Sequence, residues 1–464
     1  MQQKFTDARL RLALSTIAIA AALAPPAHAL TPDEIKQLGT TLTPWGAEIA
    51  GNKEGTIPAY TGGLSKAPAG VGADAALLPD PYATEKPLLT IDAKNLAQYA
   101  DKLTDGARSL FKRFPDYRMN VYPSHRSFPE MPKRMAAAAI KNATNPECAL
   151  AGNGVGIRGC WGGTPFPIPR NGLEVMWNHN LRWRAVTEYS AESWVVNGAG
   201  ESLLNQSEAY SEFPYFTEGM APYGGTGQFY MRFINYSTGP ARDVGNVTMA
   251  YYPLEFDRQD QRIWSYSPGQ RRVRLAPEFA YDTPSSQMGG AMNYDEIGLF
   301  SGRMDRYEFK LLGKKEKYTS QNSYNFLFNT SKAALLGKQH LTPEATRWEL
   351  RRVWVVEATL KPGIRHSMPR RVFYVDEDSW TIVAAEGYDA ANTLVRVQDA
   401  YTAPHYTSGT FITNSVFSSY DLVKGQYAAV NMMGTIKGGY LKTLPGPRPE
   451  RTMTPESMAA SAAR

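Results

Sequence analysis

Three stretches of the sequence carry residue types and spacings that could do chemistry. The first is CALAGNGVGIRGCWGG, residues 148–163, in which Gly154, Gly156 and Gly159 complete a GxGxxG. That spacing belongs to dinucleotide-binding turns, where a strand leads into a helix whose N-terminus holds the pyrophosphate. Here WGGTPFPIPRNG follows, and Pro165, Pro167 and Pro169 at alternate positions forbid that helix. The motif fails its context, so no nucleotide cofactor is assigned. The glycines belong instead to a loop closed by Cys148 and Cys160, the only cysteines of the chain. In an oxidising compartment two such cysteines pair. Closing so small a loop stabilises by roughly 3 kcal/mol through the lost entropy of the unfolded chain.

The second stretch is NGLEVMWNHNLRWR, where His179 stands near Glu174, Asn178 and Arg182. A histidine and a carboxylate are the usual pair for general acid and base work, which would make the protein a hydrolase of an envelope lipid or glycan using His179 and Glu174. The plainer reading, which we favour, is a histidine that ties an irregular segment to the core by hydrogen bonds. The third stretch is Asp376-Glu377-Asp378, three carboxylates of the kind that bind calcium. Strand-like runs on both sides make a polar hairpin turn the better expectation. The histidines beyond residue 29 are His125, His179, His340, His366 and His405, none within ten residues of another. With no HExxH, GxSxG or P-loop, the sequence assigns no catalytic residue, no metal site and no cofactor. The triplet Arg-Arg-Val, at 271, 351 and 370, reads as a solvated strand face paired with acids such as Glu357 and Glu386 rather than as a track for an acidic partner.

The start of the chain bounds these readings. Lys4, Arg9 and Arg11 precede an apolar run from Leu12 to Ala24 and then Ala27-His28-Ala29, the pattern of a secretory signal peptide cut after Ala29. The expected location is the periplasm. Removing residues 1–29 takes away three positive charges and one negative, which lowers the net charge from +6 to +4. Such a small, dispersed excess makes nucleic acid a poor partner.

The elements that would position these groups fall into four regions: the signal peptide 1–29, a helical and extended region 30–145, an antiparallel sheet domain 146–440 containing the 148–160 loop, and a proline-rich tail 441–464 expected to be disordered. Thr31-Pro32-Asp33-Glu34 is a capping box with Gly39 as its stop, and Asp92 to Pro115 reads as one helix. A third helix is expected over Pro132 to Asn142. From Val186 onward the period becomes two. Runs at 188–197, 228–236, 246–256 and 262–266 read as strands, and Ser267-Pro268-Gly269-Gln270 as a type II turn closing a hairpin. Residues 349–360, 370–376, 380–388 and 393–401 repeat the pattern with short turns, which implies a sequential antiparallel meander.

Trp, Tyr and Phe make up 11% of the chain, more apolar material than thin strands need. A curved antiparallel sheet covered by helices can hold an apolar ligand under that cover. The expected lining is Trp264, Tyr266, Trp354, Val356, Phe373, Val375, Trp380 and Ile382, with a lipid or other hydrophobic small molecule as the partner.

Four segments then carry a family resemblance: LTPWGAEIAGNKEGTIPAYTGGL, PFPIPRNGLEVMWNHNLRWR, WSYSPGQRRVRLAPEFAYDTP and RRVWVVEATLKPGIRHSMPRRVFYVDEDSW. They resemble the DUF1329 family of Gram-negative periplasmic proteins, which is similar in its sheet to the lipoprotein carriers LolA and LolB. The resemblance implies an α+β fold, a curved antiparallel half-barrel with helices and an extended N-terminal region over its concave face. It also implies a carrier or chaperone in envelope transport, alongside an inner-membrane transporter of the resistance-nodulation-division (RND) type and an outer-membrane porin-like protein. A scaffold docking such a transporter to an outer-membrane protein is the remaining alternative.

Overall fold

The computed structural model describes residues 30–72, 75–217, 229–413 and 415–462. The expected signal peptide lies outside the described residues. The fold is α+β, dominated by one large, unclosed, almost wholly antiparallel sheet. Its order runs Leu89–Ile91, Met119–Val121, Trp348–Leu360, Arg370–Asp376, Ile382–Tyr388, Leu394–Ala400, Phe417–Asp421 and Gln426–Met432. It continues through Val186–Val196, Ser202–Glu212, Phe229–Gly239, Val247–Pro253, Arg262–Ser267 and Arg272–Leu275. The Tyr307–Ser320 strand also pairs with Trp348–Leu360, and Tyr440–Leu444 pairs with Val186–Val196. Two sequential meanders therefore make the sheet, and they meet where Ala429 faces Trp194.

The meander over 348–400 forms as expected, because tight turns between β-branched and aromatic runs leave neighbouring strands little choice of partner. Both of its faces are buried, not one. Val356, Ala358, Phe373 and Val375 pack with Trp45 and Trp177 on one side, while Val353, Val355, Val372 and Tyr374 cluster on the other. The Gly172–Asn180 helix and the segment around Trp45 cover the first face, and the Asp105–Arg113 helix lies on strands Ile382–Tyr388 and Leu394–Ala400. There Gly106 N–H donates to Glu386 at 2.6 Å, and a Cβ on Gly106 would meet Val397 at 2.7 Å.

Several local expectations change. The capping box at Thr31 is present, with Gly39 at φ +84° beyond it. The helix expected from Asp92 to Pro115 breaks into a 3-10 turn, Leu96–Lys102, and the helix Asp105–Arg113. The Thr104 side chain accepts from Ala107 N–H and starts a new N-terminus there. The third helix is Lys133–Thr144. In the hairpin after Arg262–Ser267 the left-handed residue is Arg271, at φ +50°, and Gln270 and Arg271 both donate to Ser267 O, so the turn is not type II at Gly269. The tail is ordered where it is described. Tyr440–Leu444 is a strand and Pro455–Ala462 a helix, and Met453 and Met458 bury themselves against Tyr210, Ile234 and Met249. Two methionines gain enough apolar burial there to offset the composition that suggested disorder.

The arginine triplets also depart from a solvated face. Arg370 does pair with Glu357, at 3.1 Å. Arg351 and Arg352, however, are buried, and their partners are the carboxylates of the 376–378 turn. Arg351 Nη2 donates to Asp378 at 2.5 Å, and Arg352 Nε to Glu377 at 2.5 Å. Arg126 and Lys314 reach the same turn. Four cations thus occupy the place where calcium was considered. Glu386 pairs with no arginine among the described residues and accepts from Gly106 N–H, Tyr374 and Tyr388. Arg352 Nη2 donates to the carbonyls of Glu48 and Ala50, and Arg126 Nη1 to that of Ile49, so the cluster holds the extended N-terminal segment onto the sheet.

Candidate functional site: two adjoining cavities

On the other meander the same face of the sheet is left partly uncovered. Register places Thr187, Ser211, Phe233, Ala250 and Ile263 in one row, and Tyr189, Ala209, Asn235 and Thr248 in the next. Above these rows lie two cavities of about 180 Å³ and about 120 Å³. They share Tyr189, Phe233, Tyr252, Ile297, Ser301 and Asn431 and so adjoin one another. The roof of the larger comes from three places: the turn Tyr294–Leu299 with Phe300 after it, the hairpin Ala403–His405 and Thr410–Ile412, and the residues following the Gly172–Asn180 helix. Ile297 lines both cavities and is 43% exposed, which places it at a rim.

The walls of the larger cavity are mainly aromatic and aliphatic, and its charge is of one sign. Arg182 and Arg184 line it, and no aspartate or glutamate does among the described residues. Arg184 Nη2 donates to Asn180 O at 2.9 Å, and its guanidinium lies 4.0 Å over the Phe213 ring. Arg182 Nη1 donates to His179 O at 2.5 Å. Burial pulls the Arg184 guanidinium down to about 10, and burial together with the Arg184 charge pulls Arg182 well below the usual arginine range. Arg184 still carries its charge at neutral pH. Burial pushes the Tyr189 hydroxyl up to about 12 and lowers His405, so both are neutral there. The smaller cavity includes Asp295, whose charge is met by His366 and Arg371, each at 2.9 Å.

None of the eight residues expected to line a pocket borders either cavity. Val356, Phe373, Val375, Trp380 and Ile382 share the inner face, with Trp354 packed against them, but on the meander that Trp45 and Trp177 fill. The Trp380 indole donates to Trp45 O at 2.8 Å and stacks on Trp354, with ring centroids 6.1 Å apart. Trp264 and Tyr266 face the opposite side, beside Met249 and beneath Met453 and Met458. The period of two separates Trp264 from Ile263, which does line the smaller cavity. The residues that sequence reasoning missed are mostly serine, threonine, asparagine and scattered aromatics, whose alternation marks a strand but not an uncovered one.

Glu174 and His179 have hydrogen-bond partners at opposite ends of one helix. Asn171 caps the helix Gly172–Asn180, accepting from Glu174 N–H at 3.0 Å, while the Glu174 carboxylate accepts from Arg170 N–H at 2.6 Å. Asn171 and Glu174 had signalled this N-terminus in a segment read as irregular. Five residues on, buried His179 faces the sheet, where Ile382 N–H donates to its Nδ1 at 3.0 Å. Burial, reinforced by Arg182 and Arg184, holds its pKa far below the usual histidine value, so the ring is neutral. Its geometry is that of a tie between helix and strand.

The cysteine loop is a hairpin closed by a disulfide. Cys148 and Cys160 are bonded across the hairpin Ala149–Ala151 and Gly156–Arg158. Gly159, at φ +70°, lies where a Cβ would meet Glu147 O at 2.1 Å. Trp177 Nε1 donates to Gly154 O at 2.9 Å, so the loop buttresses the helix that ends at the cavity. A disulfide fits an oxidising compartment.

Comparison with known proteins gives matches over most of the chain. An uncharacterized protein of Pseudomonas aeruginosa, PA3922, is 40% identical over 422 residues, which cover 89% of this chain and 90% of the relative. Among solved structures, a DUF1329 family protein from Desulfovibrio piger is 16% identical, with a TM-score of 0.41, over 61% of this chain and 95% of that one. A putative outer membrane lipoprotein-sorting protein domain from Vibrio parahaemolyticus is 13% identical, with a TM-score of 0.42, over 62% and 98%. A LolA superfamily protein from Nitrosomonas europaea is 10% identical, with a TM-score of 0.36, over 62% and 98%. The family described as protein of unknown function, DUF1329, matches residues 90–459, and with the relative from Pseudomonas this establishes that the chain belongs to the DUF1329 family.

Proposed function

We propose that the protein is a periplasmic carrier or chaperone that holds a lipid or other hydrophobic molecule between sheet and roof and hands it on in envelope transport. An inner-membrane RND-type transporter and an outer-membrane porin-like protein are the partners this role calls for. The observation that carries the reading is the pair of adjoining cavities on one meander, lined by Phe233, Tyr252, Phe300 and Phe411 among others, while Trp45 and Trp177 pack on the same face of the other meander. A cavity of roughly 150 Å³ holds one benzene, so two of about 180 Å³ and about 120 Å³ suit one slender chain. Burial of such a chain contributes about 0.8 kcal/mol per methylene. The roof includes a short turn and a two-stranded hairpin, elements that can part without unpairing the main sheet.

The mature protein, purified from periplasm under mild conditions, is expected to carry a stoichiometric apolar molecule in native mass spectrometry, recoverable by organic extraction. A ligand-free mass, together with failure to take up an apolar fluorescent probe, refutes the reading.

A further inference from the structure

We infer that the larger cavity selects an amphiphile with an oxyanion head, received by Arg184 and Asn180, with its apolar chain lying toward Phe233 and Tyr252. This rests on the carrier reading and adds the class of cargo. Three observations carry it. The guanidinium group of Arg184 lines a cavity to which no described carboxylate contributes. Elsewhere in this molecule buried arginines meet acids: Arg351 with Asp376 and Asp378, Arg371 with Asp295, Arg396 with Glu296. Finally, among the described residues, two enclosed donors at this end of the cavity, Asn180 Nδ2 and Arg184 Nε, have no hydrogen-bond partner.

An unpaired buried donor is costly, and a buried cation without a counter-charge more so. An anionic acceptor at this position would satisfy both. Arg184 is held for that task, since Asn180 O and the Phe213 ring fix its plane while Nε stays unused. The planar guanidinium suits a carboxylate or a phosphate alike.

A dansyl-labelled undecanoic acid and its methyl ester distinguish head from chain. The protein is expected to bind the acid about tenfold or more tightly than the ester, the scale of a charge-assisted hydrogen bond. Arg184→Gln should collapse that ratio toward one, and Arg184→Lys should keep part of it, with circular dichroism and thermal melts confirming that both variants fold. Displacement by dodecanoate against dodecyl phosphate then identifies whether the head is carboxylate or phosphate. Equal affinity for acid and ester in the unaltered protein overturns the anionic head and leaves the carrier reading standing. A preference for the acid that survives Arg184→Gln overturns the role of Arg184. Failure to bind either probe overturns the carrier reading as well.

Discussion

Replacing Arg351 by methionine tests whether the buried charge cluster holds the N-terminal segment to the sheet. Arg351 is 3% exposed and donates to Asp376 at 3.2 Å, to Asp378 at 2.5 Å and to His125 O at 2.8 Å. Methionine preserves most of the stem but leaves two interior carboxylates short of a counter-charge, and breaking a buried ion pair on one side costs about 3–5 kcal/mol. An unfolding entropy of about 2.1 cal/mol/K per residue comes close to 1 kcal/mol/K for a chain of this length, so Tm should fall by about 3–5 °C. Calorimetry at neutral pH reads this directly. Acid supplies an internal control. Burial pushes the Asp378 carboxyl up, but the charges of Arg351 and Arg126 outweigh it and leave its pKa below the ordinary aspartate value. A depressed carboxylate contributes stability above its unfolded pKa, about 3.9, and loses it as pH falls through the folded value. The gap between Arg351→Met and the unaltered protein should therefore narrow below about pH 4. A loss under about 1 kcal/mol, which only a solvated pair would give, or a gap that does not narrow in acid, refutes the reasoning.

Two further outcomes follow from buried groups. Burial pushes the Asp399 carboxyl up to about 7, with Glu386 adding to it, so the stability it confers is complete below about pH 4 and lost as pH rises to about 7. Asp399→Asn should gain on the unaltered protein across that window by up to about 4 kcal/mol and then level off, read from urea midpoints at pH 5 and pH 8; a pH-independent offset contradicts it. His179→Ala should cost about 1–3 kcal/mol, because it strands the Ile382 amide in the interior. Unchanged stability with a lost hydrolytic activity would restore the catalytic reading.

Much of the fold is legible in the sequence because it depends on near neighbours. Two-residue periodicity and short turns dictate the 348–400 meander, and Thr31 with Glu34 dictates the first helix start. The cysteine loop is legible for the same reason, since proline spacing excludes the competing motif and two cysteines leave one pairing. Cues of similar kind were passed over where a stronger pattern ran across them. The apolar spacing from Leu96 to Phe111 concealed the cap at Thr104, and proline-rich composition concealed the burial of Met453 and Met458.

The site was not legible, and the reason is physical. Alternation marks which residues share a face, and six of the eight expected lining residues do lie on the face that bears the cavities. Which half of that face stays uncovered depends on where distant segments come to rest. Trp45 arrives from more than three hundred residues away to close the space beside Trp380, while the hairpin over 403–412 leaves room above Phe233. The fate of the charges is decided in the same way. Arg351 lies within a strand and Arg184 just before one, yet one meets Asp376 and Asp378 while the other meets a cavity. Sequence determined the strands, the helix starts and the disulfide through local sterics and hydrogen bonding; tertiary packing alone decided where the interior is full and where it is open.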